Sequence, residues 1–123
     1  MELEVDFCPR PEYGLVSPRM EWVDDVLVSR GGADVLCLSG PARTEVGGGR
    51  ARWRILLEKG ERCVFALRHS RRWDPLAKPW SEKQARRRLD DTATAWRSWS
   101  ELHQRYQGPA QDLVHLSGRC CGA

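Results

Sequence analysis

The sequence has no apolar run approaching the roughly 18 residues of a membrane-spanning helix. Its first residues, Met1-Glu2-Leu3-Glu4, are acidic and alternating, whereas a secretory signal is basic and then continuously apolar. No internal repeat is visible. These absences predict a cytoplasmic protein with no membrane partner.

Cysteine is present, but it lacks the patterns that form disulfide frameworks or zinc sites. The chain has five cysteines, an odd number, and no two of them have the Cys-x-x-Cys spacing of a zinc site. We therefore interpret Cys8, Cys37 and Cys63 as small buried hydrophobic residues. The adjacent Cys120 and Cys121 are expected to belong to a frayed tail.

The motifs of common catalytic and cofactor sites are also missing. His69, His103 and His115 are isolated, without the His-x-x-x-His spacing of a zinc site, and no Gly-x-Ser-x-Gly nucleophile motif occurs. Gly47-Gly48-Gly49 lacks the lysine and the following helix of a phosphate loop, so we expect a flexible hairpin connection there. The sequence therefore predicts no catalytic residue, no metal and no cofactor.

Carboxylates are present, but not in the arrangement of a glycosidase, which needs two carboxyl groups facing one another across a sugar. Asp24 and Asp25 are neighbours in a predicted strand and would point to opposite faces. The helical carboxylates each follow an arginine by four residues, which is typical of a solvated, weakly ion-paired face. They are Asp90, Asp91 and Glu101.

The composition is that of one globular domain, with 123 residues, 41% of them hydrophobic and 30% charged. The net charge of +3 is unevenly placed, since residues 1–25 hold seven acids and two bases while residues 68–88 hold eight bases and two acids. The basic stretch with Trp73 and Trp80 has the features of a nucleic-acid surface. Because acids interleave its helical part, we favour packing on an acidic protein surface and expect no nucleic-acid partner.

Strand patterns fill the first half of the chain. Leu3, Val5 and Phe7 alternate with acidic residues, which predicts a strand with one apolar face. Further strands are predicted at residues 22–29 and 34–38, with a glycine turn between them.

A hairpin is predicted between residues 50–57 and 63–68, because both segments alternate. A three-residue loop ending at Gly60 would place Trp53 opposite Phe65, a favourable aromatic pair. The same register would place Ile55 opposite Cys63.

The second half has a helical pattern. Ser81 and Gln84 fit a capping box, in which a hydroxyl caps the first turn and a glutamine three residues later completes it. The apolar positions that follow at helical spacing are Leu89, Trp96, Trp99 and Tyr106. Such a face needs a large apolar partner, so we expect these four residues to pack against another domain.

The expected fold is mainly β: an antiparallel β-sandwich, a long linker helix and the start of a second helix. The expected organisation is a β-sandwich domain at 1–70, a connector at 71–80, and a linker helix at 81–107. Residues 108–123 would be the start of a helical region and a frayed tail.

Two passages resemble the N-terminal region of bacterial family 15 glycoside hydrolases, the glucoamylase and trehalase-like enzymes. The passage Val5-Asp6-Phe7-Cys8-Pro9-Arg10-Pro11-Glu12-Tyr13-Gly14 is similar to the family's early "F-x-P-R-x-x-Y-G" stretch. The second passage looks like the family's "W-x-x-W … Y-x-G … V-x-x-S" region. It comprises Trp96-Arg97-Ser98-Trp99, Tyr106-Gln107-Gly108-Pro109 and Val114-His115-Leu116-Ser117.

The resemblance implies a β-sandwich joined by a linker helix to an (α/α)₆ barrel, which in the family holds the substrate-binding residues and both catalytic carboxylates. All of them lie beyond the position that Ser117 occupies, so no catalytic residue is carried over. After Ser117 the chain departs from the family pattern. We therefore expect a truncated or frame-shifted product. The expected function is structural, and the parent substrate, trehalose or an α-glucan, stays open.

A carbohydrate-binding module is the alternative interpretation. Its candidates for stacking on sugar rings are Trp22, Trp53, Trp73 and Trp80.

Overall fold

The computed structural model describes residues 1–103 and 105–121, and within them it contains seven β-strands and two α-helices. The strands are β1 (Glu2–Phe7), β2 (Arg19–Val23), β3 (Val26–Gly31), β4 (Asp34–Ser39), β5 (Val46–Gly47), β6 (Arg50–Leu56) and β7 (Ala66–Arg71). The helices are α1 (Glu82–His103) and α2 (Gln111–Cys121). The chain divides into one compact unit of Met1–Ala85 and a second that begins at Arg86.

The strands form two antiparallel sheets, which confirms the predicted mainly β class. One sheet has the strand order β1-β6-β5 and the other the order β2-β3-β4-β7. Leu27 and Leu38 from the four-stranded sheet pack with Ala51 and Trp53 from the three-stranded sheet, and all four are buried. The two sheets therefore share one sandwich core.

Trp53 is the largest side chain of this core and is only 5% exposed. Its ring makes edge contacts with Trp22, at 6.4 Å between ring centroids, and with Phe65, at 5.2 Å. The indole Nε1 donates a hydrogen bond of 2.8 Å to the carbonyl of Ala42, so the polar atom of this buried ring is satisfied.

The outer face of the four-stranded sheet is buried as well. Val26, Val28, Val35 and Cys37 form a second core cluster, against which Ala77 of the segment before α1 packs. A strand covered on both faces has no solvated side, which explains why β3 and β4 are continuous apolar runs rather than alternating ones.

The segment before α1 is also tied to this outer face by polar contacts. The backbone N–H of Trp80 donates to the hydroxyl of Ser39 at 3.2 Å. The guanidinium of Arg68 lies over the Trp80 ring, 5.3 Å from its centroid. The stretch predicted as a connector at 71–80 therefore forms a covering layer on the sheet.

The predicted hairpin of residues 50–57 and 63–68 is wrong. β6 pairs with β1 and β5, whereas β7 pairs with β4 in the other sheet. The alternation of a strand specifies its buried face but not its neighbour. Trp53 and Phe65 do meet, as predicted, but across the sandwich core rather than as a cross-strand pair.

The predicted strand at 22–29 is also wrong, because it is two strands joined by a tight turn. β2 ends at Val23 and β3 begins at Val26, and Asp24 in the turn has a φ of 51°. Aspartate tolerates this left-handed conformation better than most residues. Asp24 and Asp25 therefore occupy a turn instead of opposite faces of a strand.

The predicted hairpin connection at Gly47-Gly48-Gly49 is confirmed. β5 and β6 pair on either side of it, and Gly48 and Gly49 have φ values of 60° and 70°. A two-residue hairpin turn of this kind needs a positive φ at both positions, which glycine adopts without strain.

The capping box at the start of α1 is confirmed. The Gln84 N–H donates to the Ser81 hydroxyl at 3.3 Å, and the Ser81 N–H donates to Gln84 Oε1 at 3.0 Å. The helix was predicted over 81–107 but ends at His103, and Tyr106 lies after it in non-helical chain. Gln104 of the predicted helix, and Gly122 and Ala123 of the predicted tail, lie outside the described residues.

Replacing Ser81 by alanine is expected to destabilise the start of α1 by about 1 kcal/mol, because the Gln84 N–H loses its acceptor. Helicity measured by circular dichroism during thermal unfolding would report the loss. Ser98→Ala is the matched control, since Ser98 is exposed within α1 and alanine is the better helix former. Equal stability of the two variants would contradict a role for the cap.

Candidate functional site

Three aromatic rings form a continuous ladder along α1. Trp96 and Trp99 meet edge to face, with their ring centroids 5.8 Å apart. Trp99 stacks on His103 at 5.1 Å and 19°, and Nδ1 of His103 lies 2.9 Å from the Trp99 carbonyl oxygen. The predicted proximity of the two tryptophans on one helix face is therefore present, and the histidine extends it. We call Trp96, Trp99 and His103 the aromatic ladder.

The other two predicted packing residues are placed differently. Leu89 lies on α1 about two turns before Trp96 and is 68% exposed. Tyr106 lies beyond α1, where its hydroxyl donates to the Pro109 carbonyl at 3.1 Å. His115 of α2 lies 3.2 Å from the Tyr106 carbonyl oxygen. Tyr106 thus organises the passage between the two helices and does not continue the ladder.

Large apolar side chains of both helices are exposed. Trp96 is 37% exposed, although it belongs to the ladder. The other exposed apolar residues of α1 and α2 are Leu89, Leu102, Leu113, Val114 and Leu116. Six large apolar side chains of the two helices are therefore accessible to a partner.

The four tryptophans considered for sugar stacking differ in access. Trp53 is buried, which excludes it. Trp22 is half-buried in the core, and its Nε1 donates to the Thr44 carbonyl at 3.0 Å. Trp80 is half-buried under Arg68. Trp73, with a 70% exposed side chain, is the one of the four that offers an open ring.

The acidic and basic residues of the three-stranded sheet neutralise one another on its outer face. Register places Glu4 of β1 opposite Arg54 and Asp6 opposite Arg52 of β6. Arg52 lies 3.2 Å from Glu4 and 3.4 Å from Asp6, and Arg50 lies 3.3 Å from Asp6. Since all are partly exposed, each pair contributes little stability, but together they cancel much of the acidic charge of the N-terminal strand.

The cysteines are less buried than predicted. Cys37 is 2% exposed, which confirms its core position, whereas Cys8 and Cys63 are half-buried. Cys120 is exposed, but it lies in the last turn of α2 and not in the frayed tail that was predicted. The side chain of Cys121 lies outside the described residues.

Two groups near these cysteines have shifted pKa values. Burial, and secondarily the charge of Glu82, raises the pKa of the Cys63 thiol. A hydrogen bond with Cys8, followed by the charge of Asp6, raises the pKa of the Arg50 guanidinium. Both shifts favour the ordinary protonation state at neutral pH, so neither group gains reactivity from them.

Three cavities of the Met1–Ala85 unit have volumes of about 560, 260 and 170 Å³. Each is lined by a single carboxylate, Glu45 in the first, Asp34 in the second and Asp24 in the third. Within the described part of the chain, no group of three or more histidine, cysteine, aspartate or glutamate residues is placed to hold a metal ion.

The second cavity was missed by the sequence interpretation. It is lined by Pro9, Arg10 and Pro11, which were quoted only for a family resemblance, and by His69, whose Nε2 lies 2.7 Å from Oδ1 of Asp34. The signals in the sequence were the segment Pro9-Arg10-Pro11 and the glycine turn at Gly31-Gly32. These two segments form a cavity only because they contact one another in the fold, and no local pattern reveals such a contact.

That contact is a close approach of Pro11 to Gly31. A Cβ atom at Gly31 would lie 2.9 Å from the Pro11 Cβ, with the Pro11 Cγ nearer still. Gly31→Ala is therefore expected to lower the free energy of unfolding by about 1–3 kcal/mol through overpacking. Gly47→Ala is the matched control, because a Cβ there meets nothing within 4 Å. Urea unfolding of both variants tests this, and a neutral Gly31→Ala would contradict the packing.

None of the helices in the described residues is long and apolar enough to span a membrane. No family model, no curated protein and no solved structure matches the chain.

Proposed function

We propose that this chain is the non-catalytic β-domain and linker helix of a glucoamylase- or trehalase-like family 15 glycoside hydrolase. Its role is structural: it supports an (α/α)₆ catalytic barrel by packing against it. The catalytic carboxylates belong to the barrel and not to this chain.

The exposed apolar surface of the two helices carries the proposal. Leu89, Trp96 and Leu102 on α1 and Leu113 and Leu116 on α2 are each 37% exposed or more. A barrel built of helices presents apolar surface that could cover them. Tryptophan is also the residue most often found at the centre of protein interfaces, where its truncation has large effects.

The order of elements also supports the proposal. A two-sheet antiparallel unit, a 22-residue helix and a second helix follow one another along the chain. This is the order that the quoted resemblance implies.

The test is association with a family 15 barrel expressed without its own N-terminal region. The full chain is expected to form a complex with it and to prolong its hydrolysis of trehalose or maltotriose at elevated temperature. A barrel from a trehalase-like enzyme and one from a glucoamylase are compared, since the parent substrate is open. The chain alone is expected to show no turnover of either substrate.

A pair of variants locates the interface. Trp96→Ala combined with Trp99→Ala is expected to weaken the complex by about 30-fold or more, measured by analytical ultracentrifugation. Trp73→Ala, which removes an exposed tryptophan of the other unit, is expected to leave it unchanged. Turnover by the chain alone, or absence of a complex with both barrels, would overturn the proposal.

A further inference from the structure

The 260 Å³ cavity lies within the Met1–Ala85 unit, between the segment that follows β1 and the four-stranded sheet. Pro9, Pro11 and Leu36 give it apolar walls, and its polar residues are Arg10, Ser29, Asp34 and His69. Ligand pockets have mostly apolar linings with a few polar groups, and usually volumes of about 300–1,000 Å³. A cavity just below this range has room for about one ring.

Ser29 is the most informative of these residues. It is only 3% exposed, yet it lines the cavity. Its hydroxyl has no hydrogen-bond partner within the described part of the chain, and it is not among the polar atoms that are shut off from solvent, so it opens into the cavity. A hydroxyl that opens into a cavity bonds to water when no ligand is present. A ligand hydroxyl in the cavity would take the place of that water as the partner of Ser29.

The remaining polar groups supply both donors and acceptors. Arg10 offers guanidinium N–H donors, and no described carboxylate pairs with it. His69 Nε2 donates to Oδ1 of Asp34, which leaves Oδ2 of Asp34 and, in the neutral imidazole, Nδ1 of His69 as acceptors. Hydroxyl groups satisfy such a mixed set because each both donates and accepts. An anion would be attracted by Arg10, but it would be repelled by Asp34 and could not use the acceptors.

The geometry is that of a binding site and not of a catalytic triad. Ser29 is opposite Leu36, and Leu36 is opposite His69, so Leu36 lies between them in the sheet. Neighbouring strands are about 4.8 Å apart, so two strand spacings, about 10 Å, separate the Ser29 and His69 backbones. His69 is therefore not positioned to activate the Ser29 hydroxyl.

We propose that this cavity binds a neutral, polyhydroxylated ring of pyranose size. The C–H groups of the ring lie against Pro9, Pro11 and Leu36, and its hydroxyl groups bond to Ser29 and Asp34. The site is distinct from the helix surface on which the proposed function rests, so either proposal can fail without the other.

The test is a titration of the ¹⁵N-labelled full chain with D-glucose, followed by amide chemical shifts in two-dimensional NMR. Amide shifts are expected at Arg10, at residues 29–36 and at His69, with a dissociation constant of roughly 1–10 mM, as for a small ligand with few contacts. Asp34→Asn is expected to weaken binding about tenfold or more, because it removes a charged acceptor. Asp25→Asn, which alters an exposed carboxylate paired with Arg43, is the matched control and should bind normally.

Ser29→Ala provides a second, independent readout. It is expected to weaken glucose binding several-fold while leaving urea stability unchanged, because the hydroxyl that is removed has no partner within the described part of the chain. A loss of stability would show that Ser29 bonds within the protein and would overturn the argument from it.

Three results would overturn the proposal. The first is the absence of shifts at 0.5 M glucose. The second is a response to cyclohexanecarboxylate but not to glucose, which would identify an anion site. The third is a glucose response that survives Asp34→Asn and disappears in Trp73→Ala, because the sugar would then stack on the exposed indole instead.

Discussion

Trp53→Ala is expected to lower the free energy of unfolding of the Met1–Ala85 unit by about 3–5 kcal/mol, the range for removing a large buried aromatic side chain. The ring is 5% exposed and contacts both Trp22 and Phe65, so its removal leaves a cavity between the two sheets. Urea unfolding followed by far-ultraviolet circular dichroism measures the change. A loss of about 3–5 kcal/mol is a large fraction of the free energy of unfolding of a typical domain.

Two further variants separate the causes of this loss. Trp53→Phe keeps most of the ring but removes the donor to the Ala42 carbonyl, so a loss of about 1–2 kcal/mol is expected. Trp73→Ala removes an exposed indole whose ring centroid lies 5.9 Å from the Arg71 guanidinium, and it should change stability by less than about 1 kcal/mol. Similar losses for Trp53→Ala and Trp73→Ala would contradict the core position of Trp53.

Val28→Asp is expected to destabilise the same unit by more than about 3 kcal/mol, because it buries a charge without a partner. Val28 is fully buried although it lies on the outer face of the four-stranded sheet. In a sandwich with a solvated outer face, the same substitution would be well tolerated. The measurement therefore tests whether the segment before α1 covers this face in solution.

The control for Val28→Asp is Leu56→Asp, at the end of β6, where the side chain is 73% exposed. A change within about 0.5 kcal/mol is expected there. Val28→Thr keeps nearly the same shape and replaces one methyl group by a hydroxyl, so it should be intermediate, at about 1–3 kcal/mol. If Val28→Asp proves as mild as Leu56→Asp, the covering layer is absent.

Patterns confined to a few residues predicted the structure well. Ser81 and Gln84 marked the start of α1, since each satisfies a backbone N–H of the other within one turn. Gly48 and Gly49 marked a hairpin turn, because both positions need a positive φ. These features depend on neighbouring residues alone, and neighbouring residues are what a sequence displays.

Predictions that needed a distant partner were less successful. The alternation in β6 was recognised, but its neighbours are β1 and β5 instead of β7. Pairing is decided by which strand buries its apolar face against the same core, and several arrangements satisfy the same alternation. The cavity beside Ser29 was missed for the same reason, because Pro11 and Gly31 meet only in the folded chain.

The sequence by itself determined the mainly β class, the start of α1 and the two tryptophans on one helix face, because these follow from local spacing and capping. The tertiary structure decided the pairing of β6 and β7, the covering of Val28 and the assembly of the cavity at Ser29. Each of these depends on which segments exclude water from one another, and that is a property of the folded chain as a whole.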